Sequence, residues 1–104
     1  MIMSDLIDGL KRDEQKVLPT LVHPDITEGL ARVFAYGKEK YHKGSWMEFT
    51  PDQAREVLPD AAQRHFNEWL RGNRVSTENL DHLLQASWNL LVLWFHENKE
   101  RNGQ

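Results

Sequence analysis

Residues 78–96, ENLDHLLQASWNLLVLWFH, decide the fold, because their pattern has the period of an α-helix. Apolar side chains surround this helix over about 260°. Its polar side chains fall within about 60° of one another: Glu78, His82, Gln85, Asn89 and His96. A solvent face is normally wide and rich in Lys, Arg and Glu, whereas this stripe is narrow. An ordinary wet face is one interpretation; we predict instead that the stripe faces protein or ligand.

Two helical segments are predicted in the middle of the chain. The first follows Pro24, a residue suited to the first position of a helix, and ends within Tyr41–Gly44. The second begins with a T-x-x-Q capping box formed by Thr50 and Gln53. We expect Pro59 to interrupt this second helix, because proline lacks the N–H that the helix interior needs.

Two more helices complete the predicted fold. One runs from Asp60 to Gly72, a natural C-terminal stop, and the last is capped by Ser76 or Thr77 and runs to about Lys99. Alternation with a period of two, which would indicate strands, is missing over any useful length. The predicted fold is therefore an all-α bundle of about four helices.

Composition limits the class of protein. We expect one domain over residues 1–104, with a soft N-terminal arm at 1–11 and a frayed tail at 98–104. Thirteen Lys and Arg against sixteen Asp and Glu give a net charge of −3, which argues against binding to duplex nucleic acid. The longest apolar run, Leu90–Phe95, is far shorter than the roughly 20 residues of a membrane span. With no basic signal segment, we expect a cytoplasmic protein without a membrane partner.

The apolar surface of the last helix predicts association. Trp88, Leu91, Trp94 and Phe95 are spread around it, and three partner helices in so small a domain cannot easily cover them all. We therefore expect a homodimer or a larger homo-oligomer.

Acidic and imidazole side chains recur at helical spacing in the second half of the chain: Asp60, His65, Glu68, Glu78, Asp81 and His82. They include an H-x-x-E motif and an E-x-x-D motif, and such pairs on facing helices build metal sites in helical bundles. Carboxylates suit Mg²⁺ or Mn²⁺ bridging a polyphosphate, while histidines favour Mn²⁺ or another transition ion. The alternative is that these are solvated charges, since such spacings also arise by chance.

The segment 36–46, YGKEKYHKGSW, concentrates three lysines, two tyrosines and a tryptophan. Lysine binds phosphate as a point charge, and an aromatic side chain can stack on a nucleotide base. In the alternative interpretation the lysines offset the negative end of the helix dipole and Trp46 fills the core.

Several motifs also follow one another in a specific order: Leu30-Ala31-Arg32-Val33, Tyr36–Tyr41, Trp46, Arg64-His65, Gly72, and His82-Leu83 with Asn89. In this order and spacing, from Arg12 to Leu93, the chain resembles the phage and bacterial dATP/dGTP diphosphohydrolase family, N-terminal type. That family is grouped with the all-α nucleotide pyrophosphohydrolases. The resemblance implies a helical domain that, with a divalent ion, cleaves a purine deoxynucleoside triphosphate to its monophosphate and pyrophosphate.

The leading hypothesis that follows from this resemblance is a nucleotide pyrophosphohydrolase dependent on Mg²⁺ or Mn²⁺. The predicted catalytic residues are Asp60, His65 and His82, and the predicted metal ligands are Glu68, Glu78 and Asp81. The predicted substrate-binding residues are Lys16, Lys38, Lys40, Tyr41, Trp46, Arg64 and Asn89. If such a site exists, the side chains of His65 and His82 should lie within roughly 10 Å of each other.

Three positions depart from the pattern of similar sequences: Asn73, Asn79 and Gln85. They replace residues that include an acid and a possible ligand, so they affect catalysis more than the fold. The second hypothesis is therefore a phage-type protein of the same fold that binds a nucleotide or a host protein without hydrolysis.

Overall fold

Three α-helices make up most of the computed structural model, which describes residues 16–103. They are α1 (Pro24–Lys40), α2 (Pro51–Leu70) and α3 (His82–Arg101). Two short 3-10 helices, Pro19–Leu21 and Ser45–Glu48, lie in the connections. Residues 16–103 contain no β-strand, so the predicted all-α class is confirmed. The predicted N-terminal arm at 1–11 lies outside the described residues.

Local sequence signals account for where α1 and α2 begin. Pro24 occupies the first turn of α1, and the ring of His23 accepts a hydrogen bond from the backbone N–H of Asp25. At α2 the predicted capping box is confirmed: Thr50 Oγ1 accepts from the backbone of Gln53, whose side chain accepts from the backbone of Thr50. These contacts satisfy backbone donors that have no partner inside a helix.

The predicted break at Pro59 is wrong, because α2 continues through this residue. The number of α-helices in residues 16–103 is therefore three rather than about four. Pro59 is exposed, while Ala54, Leu58 and Ala62 on the inward face of α2 are buried. Packing of this apolar face holds the helix together across the one hydrogen bond that proline cannot donate.

The predicted start of the last helix is also wrong, since α3 begins at His82 and not after Ser76 or Thr77. The chain makes a turn first, in which Asn79 has a φ of 62° and donates its N–H to the carbonyl of Ser76. The backbone N–H of His82 then donates to the carbonyl of Arg74 over 2.8 Å. Glu78 and Asp81 therefore precede the helix, and the E-x-x-D motif lies on no helix face.

The last helix, predicted to run to about Lys99, extends to Arg101 and so into the segment 98–104 that we expected to be a frayed tail. The guanidinium of Arg55, near the start of α2, pairs with the carboxylates of Glu97 and Glu100 near the end of α3. Lys99 and Arg101 also lie in the last turn, where positive charge opposes the helix dipole. These contacts keep residues 98–101 helical.

The core lies between α2 and α3, which are antiparallel because Arg55 contacts Glu97 at one end and His65 contacts His82 at the other. Ala54, Leu58 and Val92 form its centre. The first helix packs against α3 through Gly29, where a Cβ would come within 2.9 Å of Leu84. Judged by length and hydropathy, none of the three helices could span a lipid bilayer.

The polar stripe of α3 points into the protein. His82, Asn89 and His96 are only 8%, 6% and 2% exposed, and Gln85 is half-buried. The prediction that this stripe does not face bulk water is therefore confirmed for the residues within α3. Several apolar side chains of the same helix face outward instead: Leu83, Leu90, Leu91 and Trp94.

Replacing Pro59 with alanine tests the account of the continuous helix. We expect Pro59→Ala to raise the free energy of unfolding by about 1–3 kcal/mol, because the new N–H can donate to the carbonyl of Arg55. Chemical denaturation measures the change. As a control, Glu56→Ala at a neighbouring exposed position should change stability by less than about 0.5 kcal/mol. A less stable Pro59→Ala protein would show that the ring makes contacts this account omits.

Candidate functional site

An open groove of about 890 Å³ lies between α1, the 3-10 helix at 45–48, α2 and α3. We call it the aromatic groove, because five aromatic side chains line it: Phe34, Tyr41, Trp46, Phe49 and Trp88. Lys38, Lys43 and Asn89 line it as well. The groove thus offers flat apolar walls together with cationic side chains, a combination suited to a ligand with a ring system and negative charge.

Trp46 is fixed in this groove from several sides. Its ring meets those of Phe34 and Phe95 edge-on, with centroids 5.3 and 4.8 Å apart. The buried His96 ring donates its Nε2 proton to the Trp46 carbonyl over 2.9 Å. A left-handed turn at Gly44, with a φ of 79°, leads the chain into this position. Trp46 therefore packs against the core and also lines the groove. The interpretation that Trp46 fills the core and the interpretation that it is available to a ligand each describe part of its position.

A second, more polar cavity of about 590 Å³ lies between the end of α2, the loop after it and the start of α3. We call it the histidine pocket. Its charged and imidazole lining residues are His65, Glu68, Arg74, Glu78 and His82. The Nδ1 atoms of His65 and His82 are 2.9 Å apart, so the predicted proximity of the two histidines is confirmed.

The two imidazole rings point their Nδ1 atoms at each other. The ring centroids are 5.1 Å apart and the two Nδ1 atoms are 2.9 Å apart. The first distance exceeds the second by nearly twice the distance from the centre of an imidazole ring to one of its nitrogens. The two nitrogens and two ring centres therefore lie almost on one line, which is the geometry of an N–H···N hydrogen bond. A metal ion held by both Nδ1 atoms would need the lone pairs to converge on a third point instead.

The surroundings of His65 favour its neutral form. Burial lowers the pKa of His65, and the neighbouring His82 and the positive charge of Arg64 lower it further. The carboxylates of Glu78 and Glu68 oppose this shift without reversing it. In the Nδ1···Nδ1 hydrogen bond one ring donates through Nδ1–H and the other accepts.

Both acidic side chains of the pocket already have partners. A hydrogen bond from Asn73 lowers the pKa of Glu68, and Arg71 adds to the effect. Hydrogen bonding to Ser76 lowers the pKa of Glu78, with a contribution from the charge of Lys40. Each carboxylate is therefore held as an anion beside donors from the protein.

A complete metal centre is not formed by the described residues. Between residues 16 and 103, no three His, Asp or Glu side chains approach closely enough to hold a metal ion. Asp81 is exposed, lies at the N-terminal boundary of α3 and does not line the pocket that contains Glu68 and Glu78. The predicted ligands Glu68, Glu78 and Asp81 therefore do not converge.

The structure divides the predicted site residues into three groups. Those in the aromatic groove are Lys38, Tyr41, Trp46 and Asn89. Those in the histidine pocket are His65, Glu68, Glu78 and His82. Those that line neither described cavity are Lys16, Lys40, Asp60, Arg64 and Asp81. Lys40 and Arg64 still act on the pocket through their charges, on Glu78 and His65 respectively.

Sequence reasoning missed several lining residues. Arg74 and Asn73 enter the histidine pocket from the loop after α2, where no helical periodicity links them to the histidines. Phe34 and Trp88 line the groove but appear in the sequence only as apolar helix positions. The sequence signal that could have placed Trp88 in the groove is its position directly before Asn89, a residue of the polar stripe.

The two cavities lie next to each other along α3. Asn89 lines the groove and His82 lines the pocket, and these residues are two helical turns apart on one face, about 10 Å along the axis. Residues 16–103 thus form an all-α structure in which an aromatic groove lies beside a polar pocket.

Comparison with known proteins identifies the family. The chain belongs to the family described as dATP/dGTP diphosphohydrolase, N-terminal, whose model matches residues 7–104. A dATP/dGTP diphosphohydrolase of Salmonella phage PMBT28 is 32% identical over 93 residues, which cover 88% of this chain and 31% of that relative. The chain therefore spans about a third of the length of this relative. No solved structure matches the chain.

The lowered pKa of His65 predicts a pH dependence of stability. Unfolded, this histidine binds a proton at its ordinary pKa of 6.5, above its pKa in the folded protein. Its contribution to the free energy of unfolding is therefore present above pH 6.5 and is lost as the pH falls from there toward the lower folded pKa. Chemical denaturation between about pH 7.5 and 5.5 measures this loss.

Two variants separate this effect from that of the other histidines. His65→Asn should show a weaker decline in stability with falling pH than the unaltered protein. His23→Asn, at an exposed helix cap, should keep the full decline, since asparagine also caps helices. Parallel curves for the unaltered protein and His65→Asn would contradict the assignment.

Proposed function

We propose that this chain binds a purine deoxynucleoside triphosphate and hydrolyses it to the monophosphate and pyrophosphate. The observation that carries the proposal is the placement of the aromatic groove beside the histidine pocket on one face of α3. Membership of the family and the name of the phage relative support the same substrate class. Such a nucleotide occurs in the cytoplasm of a host cell, where we propose that the protein acts.

The base would occupy the aromatic groove. Aromatic faces stack on any base, and a volume of about 890 Å³ is within the range of small-molecule sites. Tyr41 is exposed at the end of α1, and Lys38 lies one turn before it. In this arrangement Tyr41 and Trp46 contact the base, while Asn89 supplies an amide group at the inner wall.

The phosphates would extend toward the histidine pocket. Arg74 lines this pocket, and its fixed positive charge suits a phosphate oxygen. Lys40, close enough to shift the pKa of Glu78, supplies a second cation between α1 and the pocket. Arg64 adds positive charge next to His65. One of the two histidines would act as the general base toward water.

We propose that Mg²⁺ or Mn²⁺ reaches this site together with the triphosphate. Mg²⁺ in nucleotide-binding proteins usually keeps several waters and is held by substrate phosphates and one or two carboxylates, not by a complete protein cage. The absence of a group of three ligands within residues 16–103 fits that mode. Bound in this way, the ion would neutralise phosphate charge.

A second candidate function is nucleotide binding without hydrolysis, alone or as part of a complex with a host protein. The observation in its favour is that Glu68 is already hydrogen-bonded to Asn73 and Arg71. Such a carboxylate is less available to hold an ion or to orient water than an unpartnered one.

A paired assay distinguishes the two functions. Pure protein is incubated with each of the four deoxynucleoside triphosphates and Mg²⁺ or Mn²⁺, and released pyrophosphate is measured. Thermal shift with the same compounds detects binding alone. Pyrophosphate release from dATP or dGTP supports hydrolysis, binding without release supports the second candidate, and neither binding nor release contradicts both.

Tyr41→Ala tests the place of the base. Losing one stacking partner should weaken binding of dATP or dGTP by about 10- to 100-fold, the range for removal of one aromatic–base contact. Tyr36→Ala is a matched control, because Tyr36 lies on the same helix and does not line the aromatic groove. Isothermal titration calorimetry measures both affinities. Equal losses in the two variants would place the base elsewhere.

We also propose that a second copy of the chain covers the outward face of α3. Leu83, Leu90, Leu91 and Trp94 are 42%, 54%, 46% and 57% exposed there. No charged residue occurs between Leu83 and Phe95, so two copies of this face can meet without like-charge repulsion. A two-fold interface requires such a self-compatible surface, and apolar area removed from water is its main source of free energy.

Leu90→Glu tests this association. Light scattering should give the unaltered protein a mass twice the 12.2 kDa of one chain, and Leu90→Glu should reduce it to that of a single chain. A carboxylate buried in an apolar interface is strongly unfavourable. The control Arg32→Glu, at an exposed position of α1, should leave the assembly unchanged. A single-chain mass for the unaltered protein at every concentration would contradict the proposal.

A further inference from the structure

We propose that Asn89 selects the base of the nucleotide. Its side-chain oxygen, Oδ1, accepts a hydrogen bond from an N–H group on the edge of the base, and a base without such a group binds more weakly. This inference rests on the proposed binding of a purine nucleotide in the aromatic groove and adds the residue that determines specificity there. It is carried by an acceptor atom that the protein leaves without a partner at the groove.

The orientation of the Asn89 amide is fixed by the helix that carries it. Its Nδ2 donates to the carbonyl of Gln85, one turn earlier in α3, over 2.7 Å. A carbonyl oxygen can only accept, so the amide nitrogen faces Gln85 and the amide oxygen is turned away from it. The free atom of this side chain is therefore an acceptor.

Asn89 Oδ1 has no hydrogen-bond partner among residues 16–103, although Asn89 is only 6% exposed. Within the same residues, the unpartnered side-chain atom that is sealed from solvent is Trp88 Nε1. Oδ1 is unpartnered but not sealed, so it borders open space, and the cavity that Asn89 lines is the aromatic groove. Water or a ligand in the groove is the partner open to it.

The surroundings make this acceptor selective. Beside Asn89, the deep part of the groove is formed by apolar and aromatic side chains that include Leu58 and Phe34. Two cationic side chains of the groove, Lys38 and Lys43, are exposed at its rim and can only donate. An acceptor beside apolar walls is costly to leave unpaired once a ligand has displaced water from it. The inner wall therefore requires a donor from the ligand.

Both purine bases of the proposed substrates can supply that donor. Adenine carries an amino group, and guanine carries an amino group next to a ring N–H. Unsubstituted purine has the same two rings and can stack on Tyr41 and Trp46 in the same way, but it has no N–H once it is joined to the sugar. Comparing these bases separates the contact with Asn89 from stacking.

The first test is the binding of three ligands by the unaltered protein. They are deoxynucleoside triphosphates of adenine, guanine and unsubstituted purine, each with the α–β bridging oxygen replaced by methylene so that no turnover occurs. With Mg²⁺ present, calorimetry should show that adenine or guanine binds about 10- to 100-fold more tightly than unsubstituted purine, the range for leaving one buried acceptor unpaired. Equal affinities for all three would overturn the inference and leave the proposed function standing. Binding of none would overturn the proposed function itself.

Asn89→Leu removes the acceptor and keeps a side chain of similar size. It should weaken binding of the preferred base about 10- to 100-fold and change that of unsubstituted purine less than about threefold, so that the preference disappears. General damage to the groove would instead weaken all three ligands alike. Asn89→Ala, which adds no atoms to the buried site, should also lose the preference. A preference that persists in either variant would overturn the inference.

Two further variants separate selection from other roles of the groove. Ser87→Ala is the matched control, because Ser87 Oγ also donates to the carbonyl four residues earlier, that of Leu83, at an exposed position outside both cavities. It should retain the affinities and the preference. Tyr41→Ala should weaken all three ligands and retain the preference, since stacking does not depend on the amino group. Loss of the preference in Ser87→Ala would assign it to the helix and not to Asn89.

Discussion

Three buried polar side chains on one face of α3 impose the constraint on which both cavities depend. His82, Asn89 and His96 are almost inaccessible to water, so each needs a partner inside the protein. His96 donates to the carbonyl of Trp46, Asn89 donates to the carbonyl of Gln85, and His82 meets His65. The first contact positions the wall of the aromatic groove, and the last assembles the histidine pocket. Satisfying buried hydrogen-bonding groups thus places the candidate site.

Features controlled by local chemistry could be predicted from the sequence. The capping box at Thr50 and Gln53 involves residues three apart, and the narrow polar stripe of the last helix follows from its periodicity alone. Features controlled by distant contacts could not. The helix passes through Pro59 because its inward face packs on α3, and α3 starts late because His82 bonds to the carbonyl of Arg74. Neither partner is visible in the local pattern.

The same distinction applies to the site. The Arg64-His65 and His82-Leu83 motifs predicted that two histidines would meet, and they do. The carboxylates predicted beside them fall short of a metal centre, because Glu78 lies in a turn and Asp81 precedes the helix. The predicted cap at Ser76 or Thr77 lies four or five residues before the observed cap at Asp81, and this early start brought the acids onto one helix face. Errors in one helix boundary therefore become errors in a whole ligand set.

The two faces of α3 connect assembly to chemistry. Its inward face carries His82 and Asn89, and its outward face carries the uncharged apolar side chains that a second copy would cover. His82 is the first residue of the helix, so its distance from His65 depends on how firmly this end of α3 is held against α2. A hydrogen bond of 2.9 Å tolerates little displacement before it weakens. Packing on the outward face would restrict motion of the same helix, which ties the precision of the histidine pair to the apolar surface opposite it.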